Sequence, residues 1–298
     1  MKGFFQKIFG QEKNSIPDIA TKPAVHDLGG STLVSSNSNL QPPQLIAACA
    51  QSVGMQREHN EDAVFALTTT LTSDHSNLPL GLYIVADGMG GHQHGEIASG
   101  IAIRSMASYM VTKLLVPMVN VKPVIPEESM QEIMQEGVLE SHKAITRQVP
   151  GGGTTLTAVL VLGEQIVLAH VGDSRAYMVD PEGKMTTLTR DHSLVRRLEE
   201  LGQISHEEAA MHPQRNVLYR ALGQGEPFDP DIKSMQLPEN GHLLICSDGL
   251  WGVVTEEEMS RIITTSDTLE HACQGLIDAA NAAGGPDNIT AILIRLPT

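Results

Sequence analysis

Aromatic side chains are scarce in this chain, with one Trp, four Tyr and five Phe among 298 residues. Because 41% of the residues are nonetheless hydrophobic, a sizeable core is available and must be packed from aliphatic side chains. Positive charge is also short, 20 Lys and Arg against 35 Asp and Glu, for a formal net charge of −15. That balance argues against nucleic acid or an anionic membrane as the main partner, since both demand a basic surface. Cysteine is limited to Cys49, Cys246 and Cys273, an odd number without CxxC spacing. A disulfide framework or a cysteine zinc site is thereby excluded, and buried reduced thiols are expected. No apolar run reaches 18 residues and no secretion signal opens the sequence, so a cytoplasmic protein without a transmembrane segment is expected.

Residues 1–44 read as a disordered tail, because their Ser, Asn, Pro, Gly and Thr cannot repay the entropy of ordering. Three of the five Phe residues, Phe4, Phe5 and Phe9, lie beside Lys2 and Lys7 at its start. They fit either a short docking helix or an ordinary frayed end. Residues 45–298 then alternate strand-like and helix-like patterns. Two β-rich runs, 155–162 and 165–171, flank Gly163-Glu164, the signal of a two-residue hairpin. Apolar residues recur at helical spacing as Ile97, Ile101, Met106, Met110 and Leu114, and as Met130, Ile133, Met134, Val138 and Ile145. A third stripe is Leu269, Ala272, Cys273, Leu276, Ile277 and Ala280. Antiparallel hairpins with long helices between them predict an α+β fold with packed sheets and outer helices. Residues 191–223, with three His, four Arg and few apolar positions, read as a partly helical flap.

What the sequence does offer is acid at strand ends. The apolar runs 82–86 and 243–246 lead into Asp87-Gly88 and Ser247-Asp248-Gly249, which predicts two buried strands breaking at a sheet edge. Asn60-Glu61-Asp62 and Pro286-Asp287-Asn288 abut strand-like segments in the same way. Carboxylates gathered from four such loops repel one another unless a hard divalent cation lies among them. Oxygen ligands favour Mg²⁺ or Mn²⁺ over zinc.

Seven blocks in this order resemble the metal-dependent protein phosphatases of the PPM family, also called type 2C. They are Arg57-Glu58-His59-Asn60-Glu61-Asp62, Val85-Ala86-Asp87-Gly88-Met89-Gly90-Gly91-His92, Gly153-Thr154-Thr155, Val171-Gly172-Asp173-Ser174-Arg175, Leu188-Thr189-Arg190-Asp191-His192-Ser193, Cys246-Ser247-Asp248-Gly249-Leu250 and Asp287-Asn288-Ile289-Thr290. The resemblance implies a four-layer α-β-β-α sandwich that hydrolyses phosphoserine and phosphothreonine with water activated between two Mn²⁺ or Mg²⁺ ions, reversing Ser/Thr kinase signalling. It implies that Asp87 bridges the ions, that the Gly88 carbonyl holds the first, and that Asp248 and Asp287 hold the second. Glu61 and Asp62 would bind metal-coordinated waters or lie at the edge of the ligand shell, and Arg57 would grip the substrate phosphate. The implied partners are phosphoproteins, either substrates of Ser/Thr kinases or the kinases themselves, met by a monomeric enzyme.

Three positions depart from the family pattern. Where many relatives have a proton-donating His after Asp-Gly, this chain has Met89, and His92 and His94 lie nearby in sequence. Relatives often hold a third ion through acids placed, on this alignment, at Pro150 and Gly252, so that site is expected to be weakened or absent. These departures keep open a non-catalytic module that recognises phosphoproteins without turning them over. Asp173-Ser174-Arg175 reads as a scaffold turn, Gly151-Gly152-Gly153 as a flexible lead into a strand, and His192 and His212 as structural or solvent-facing.

Overall fold

The computed structural model describes residues 44–73, 76–90, 93–124, 126–225, 228–238 and 240–296; the tail assigned to residues 1–44 therefore lies outside the described residues except for Gln44, as does His92. Elements run in the order β1 (Ile46–Ser52), β2 (Asp62–Ser73), β3 (Ser76–Met89), α1 (Gln93–Met110) prolonged by a π-helical turn (Val111–Leu115), α2 (Val116–Val119) and α3 (Met130–Gln148). There follow β4 (Gly153–Thr154), β5 (Leu156–Leu162), β6 (Gln165–Val171), β7 (Arg175–Val179), β8 (Met185–Thr187), α4 (Leu194–Glu200) and α5 (His206–Ala210). The chain closes with β9 (Asp231–Gln236), β10 (His242–Cys246), α6 (Asp248–Trp251), α7 (Glu256–Thr265), α8 (Leu269–Ala282) and β11 (Ile289–Arg295).

Two antiparallel sheets stack face to face. One has the order β1-β11-β10-β7-β8; the other runs β2-β3-β5-β6-β9, with β4 paired to β3. The β5–β6 hairpin closes on the pair Leu162 and Gln165, leaving the two-residue loop that the sequence predicts. Gly163 takes φ 59° there, in the left-handed region that glycine reaches at no steric cost. Strand alternation then sorts the side chains into separate cores. Tyr83, Val85, Val159, Leu168, Ile245 and Ile292 fill the space between the sheets. Opposite faces of the same strands bury Leu82, Ile84, Ala158 and Val167 against α1 and α3, and Leu244, Ala291 and Leu293 against α7 and α8. Four layers thus enclose three aliphatic cores, and each fully buried Leu, Ile or Val contributes about 1.5–3 kcal/mol relative to exposure.

The stripes on α3 and α8 are buried as predicted. On α1, Ile97 departs from its stripe: 46% of it is exposed, and the neighbouring Ala98 turns inward instead. One thiol is also corrected, for Cys49 is exposed on the edge strand β1 while Cys246 and Cys273 are buried. All three remain free. The flap of residues 191–223 carries α4 and α5, each opened by a serine cap, Ser193 and Ser205.

Candidate active site

Asp87 lies near the end of β3, but the strand does not break at Asp-Gly as the sequence predicts. It continues through Gly88 and Met89, which pair with Thr154 and Gly153 of β4. Continuation is possible because Gly88 has no side chain: a Cβ there would lie 2.3 Å from the Gly95 carbonyl and 2.6 Å from that of Glu61. The backbone of Asp87 is fixed by Thr154 and Thr155. Thr155 Oγ1 accepts from the Asp87 N–H at 2.9 Å, while the Asp87 carbonyl accepts from Thr154 Oγ1 at 2.8 Å and the Thr155 N–H at 2.9 Å. At the second Asp-Gly, β10 ends on Cys246 and Asp248 opens helix α6. That acid is therefore presented from a helix N-terminus, where the dipole favours negative charge.

Across the sheet, Asp62 stands directly opposite Asp87 in the β2–β3 ladder. Its Oδ2 accepts from Ser247 Oγ at 2.8 Å and Thr290 Oγ1 at 2.7 Å, both from the other sheet. Asn288 fastens the remaining loops. Its Oδ1 accepts from the Glu61 N–H at 2.8 Å, and its Nδ2 donates to the carbonyls of Val53 at 2.8 Å and His59 at 2.9 Å. Arg57 Nη2 meets Asp287 Oδ2 at 2.7 Å on the exposed rim. The Glu61 carboxylate packs against Gly95, at the start of α1.

The acids crowd one another. Burial, then the charges of Asp62, Asp248, Asp173 and Asp287, push Asp87 well above the usual carboxylate range. Burial likewise lifts Asp62 to about 7 despite its two hydroxyl donors. For Asp248, raised to about 6, burial is followed by the Asp287 charge, partly offset by a hydrogen bond with Asp87. Asp87 and Asp248 are each half-buried. Asp62 Oδ1 and Asp248 Oδ1 are buried with no hydrogen-bond partner. Orphaned carboxylate oxygens among repelling neighbours are the donor set that a hard divalent cation satisfies. Among the described residues, no three acidic, His or Cys side chains are already drawn into a coordination shell. Mg²⁺-like ions require no such cage, because they keep several waters and take few protein ligands.

Asp173 was missed as a member of this cluster. Sequence reading assigns it to a turn, and its neighbour Ser174 does bond the scaffold, with its hydroxyl 2.7 Å from Thr155 Oγ1. The Asp173 carboxylate, however, is itself raised well above its usual range by burial and then by the Asp248 charge. Only the polar residues after a buried strand hinted at it. The sequence-derived set is otherwise brought together: Arg57, Asp87, Asp248 and Asp287 meet at one end of the sandwich, with Asp62 behind them and Glu61 beside α1. Met89 ends β3 without a proton to donate, and His94 is exposed. His192 is structural, its Nδ1 accepting from the Gly172 N–H at 3.1 Å.

A groove of about 800 Å³ leads away from these acids between the flap and α6–α7. Arg57, Asp173, Asp248 and Asp287 line its inner end, and Arg196, Arg215, Glu256 and Glu257 line its outer reaches.

The sequence profile of the family described as protein phosphatase 2C matches residues 48–289. The Serine/threonine phosphatase stp of Listeria monocytogenes is 38% identical over 245 residues, covering 81% of this chain and 92% of that protein. Among solved structures, the Mycobacterium tuberculosis serine/threonine phosphatase PstP/Ppp superposes with a TM-score of 0.71 at 31% identity, covering 86% of this chain and all of that one. The catalytic domain of PstP in complex with two manganese ions gives 0.68 at 30% identity, covering 85% and 99%.

Proposed function

This chain belongs to the protein phosphatase 2C family, as an Mn²⁺- or Mg²⁺-dependent protein serine/threonine phosphatase of bacterial type, and we propose that Arg57, Asp87, Asp248 and Asp287 carry its reaction. The observation behind this assignment is the acid cluster itself, lifted by burial and mutual repulsion and holding two orphaned oxygens. Asp87 and the Gly88 carbonyl would hold one cation, with Asp87, Asp248 and Asp287 sharing a second. Glu61 and Asp62 would orient the waters around them. When bound, the two ions supply an acidified water and positive charge for the phosphoryl oxygens.

The remaining work falls to the chain. Arg57 stands at the groove's inner end, where its planar fork donates two parallel hydrogen bonds to phosphate oxygens and fixes the phosphorus. Asp62, held by Ser247 and Thr290, keeps its carboxyl group at the ladder position opposite Asp87. Asn288 holds the loop of Arg57 and Glu61 against Asp287, so the phosphate grip and the cation site share one scaffold. The flap and α7 wall the groove that receives the flanking peptide.

Substrates are phosphoproteins, and we assign them more narrowly to the targets of Ser/Thr kinases or to the kinases themselves. Residues 45–298 would form this catalytic domain, acting as a monomer in the cytoplasm. The acidic balance of the chain argues against a nucleic acid or an anionic membrane as its partner, and among the described residues no helix is long and apolar enough to cross a membrane. Hydrolysis of a phosphothreonine peptide with Mn²⁺, with EDTA and with Asp248→Asn tests the assignment. Turnover should require Mn²⁺ and collapse in the variant. Full activity in EDTA would refute it, and Mn²⁺ binding without turnover in the native chain would instead mark a phosphoprotein-binding module.

A further inference from the structure

We propose that Trp251 is a positioning residue that, through Arg175, couples the flap to the carboxylates of the cation site. The inference rests on the assignment of Asp87 and Asp248 as cation ligands. Trp251 is the only tryptophan of the chain and ends α6, three residues after Asp248. Its indole Nε1–H donates to the Asp173 carbonyl at 3.0 Å. On the ring face, the Arg175 guanidinium carbon lies 3.5 Å from the centroid.

Arg175 is held on its other sides as well. Its Nε and Nη2 donate to the Asp191 carboxylate at distances from 2.7 to 3.2 Å, and its Nη1 donates to the Tyr177 hydroxyl at 3.2 Å. Asp191 is the first residue of the flap, and its side chain is only 8% exposed. A planar guanidinium fixed at its edge by a carboxylate and at its face by an indole cannot be re-aimed without breaking several contacts. Four parts of the fold therefore move together: α6 with Asp248, the turn with Asp173, β7 with Arg175, and the root of the flap.

That linkage matters because the indole N–H pins the Asp173 carbonyl beside α6, the helix that Asp248 opens. When the flap settles on a substrate, Asp191 carries Arg175 with it and thereby loads the indole. Cation binding and flap position are then coupled, and the coupling must act equally in both directions.

Trp251→Phe keeps the ring face and removes the donor, while Asp191→Asn keeps the shape and releases Arg175. The full chain is titrated with Mn²⁺ by calorimetry, then assayed at saturating Mn²⁺ on a phosphothreonine peptide and on p-nitrophenyl phosphate, which is too small to reach the flap. Both variants should bind Mn²⁺ about 10-fold more weakly, as expected for a lost outer-shell contact. Asp191→Asn should also raise KM for the peptide while leaving KM for the small ester unchanged. With a single indole at this point, Mn²⁺ should change the native fluorescence and change it less in Asp191→Asn. Native Mn²⁺ affinity in both variants would overturn the proposal, as would a weakened affinity matched by a melting temperature in EDTA lower by more than about 5 °C. A native chain that binds no Mn²⁺ would overturn the ligand assignment and this coupling with it.

Discussion

Replacing Asp248 with Asn should stabilise the metal-free protein at the same time as it abolishes catalysis. In the fold, burial and then the Asp287 charge raise this carboxyl from 3.8 to about 6. Between those values the native state binds more protons than the unfolded chain, so stability falls as pH rises through the window. Above it, holding Asp248 ionised costs about 3 kcal/mol at 1.36 kcal/mol per pH unit. Because the acids titrate as a coupled set, and Asp248 keeps some contact with solvent, about 1–2 kcal/mol of relief is a fairer expectation. Asn preserves the shape, can still accept from the Gly249 backbone, and can donate toward Asp87.

The assay is thermal melting in EDTA at pH 8 and pH 5. At pH 8 the variant should melt about 2–8 °C above the native protein, given about 2–4 °C per kcal/mol for a domain of this size. At pH 5, inside the window between 3.8 and about 6, the gain should fall to about half. Saturating Mn²⁺ should reverse the order, because only the native protein gains strongly from ligand binding. A variant that melts lower than the native protein in EDTA at pH 8, or that gains equally at both pH values, would refute the repulsion argument.

Arg57→Ala should leave stability within about 1 kcal/mol, because the Arg57–Asp287 pair is solvent-exposed, yet lower kcat/KM for a phosphothreonine peptide by about 100-fold; unchanged kinetics would remove Arg57 from the site. Asn288→Ala should cost about 2–4 kcal/mol in a urea melt, since the side chain serves the Glu61 amide and the Val53 and His59 carbonyls in a buried position. His170 is held neutral by burial, down to about 3, with Nδ1 2.9 Å from Thr157 Oγ1 and Nε2 3.1 Å from the Arg190 carbonyl. Its contribution is complete above 6.5 and is lost as pH falls, by about 2 kcal/mol at pH 5. His170→Gln should remove that dependence, so the native-minus-variant stability should narrow by that amount between pH 7 and pH 5. A constant difference would show that His170 takes up a proton in the fold as readily as in the unfolded chain.

The acid loops were legible because each sits at the end of an apolar run, and period-two burial fixes where such a run stops. Asp173 was not, since a polar turn after a strand looks the same whether its carboxylate faces solvent or another carboxylate. Only the pairing of β7 with β10, which brings the turn beside α6, separates the two cases. Asp87-Gly88 misled in a different way. Gly after Asp signals a turn in isolation, but here the absent Cβ allows the strand to pass under the Gly95 and Glu61 carbonyls and pair with β4. The helical stripes were readable, although Ile97 was given a face that Ala98 occupies, because a 3.6-residue period tolerates a shift of one residue at a helix start.

The site draws on both sheets, and this explains why its acids can be packed so closely. Asp62 and Asp87 belong to one sheet, while Ser247, Thr290 and Asp287 hang from β10 and β11 of the other. Each sheet is rigidly hydrogen-bonded within itself, so repulsion between the acids cannot be relieved by a local side-chain shift. It must push against the aliphatic core between the sheets, whose close packing resists separation. Mutations that thin that core far from the groove, such as Ile292→Ala, should therefore weaken Mn²⁺ binding as well as stability, the sheets drifting apart at the end where the charges meet. Equal loss of stability from Leu276→Ala, which lies outside the sandwich against β11, should spare Mn²⁺ affinity. Calorimetric titration of the two variants decides the matter, and indistinguishable Mn²⁺ affinities would show that the acids are held apart by their own loops rather than by the sheets.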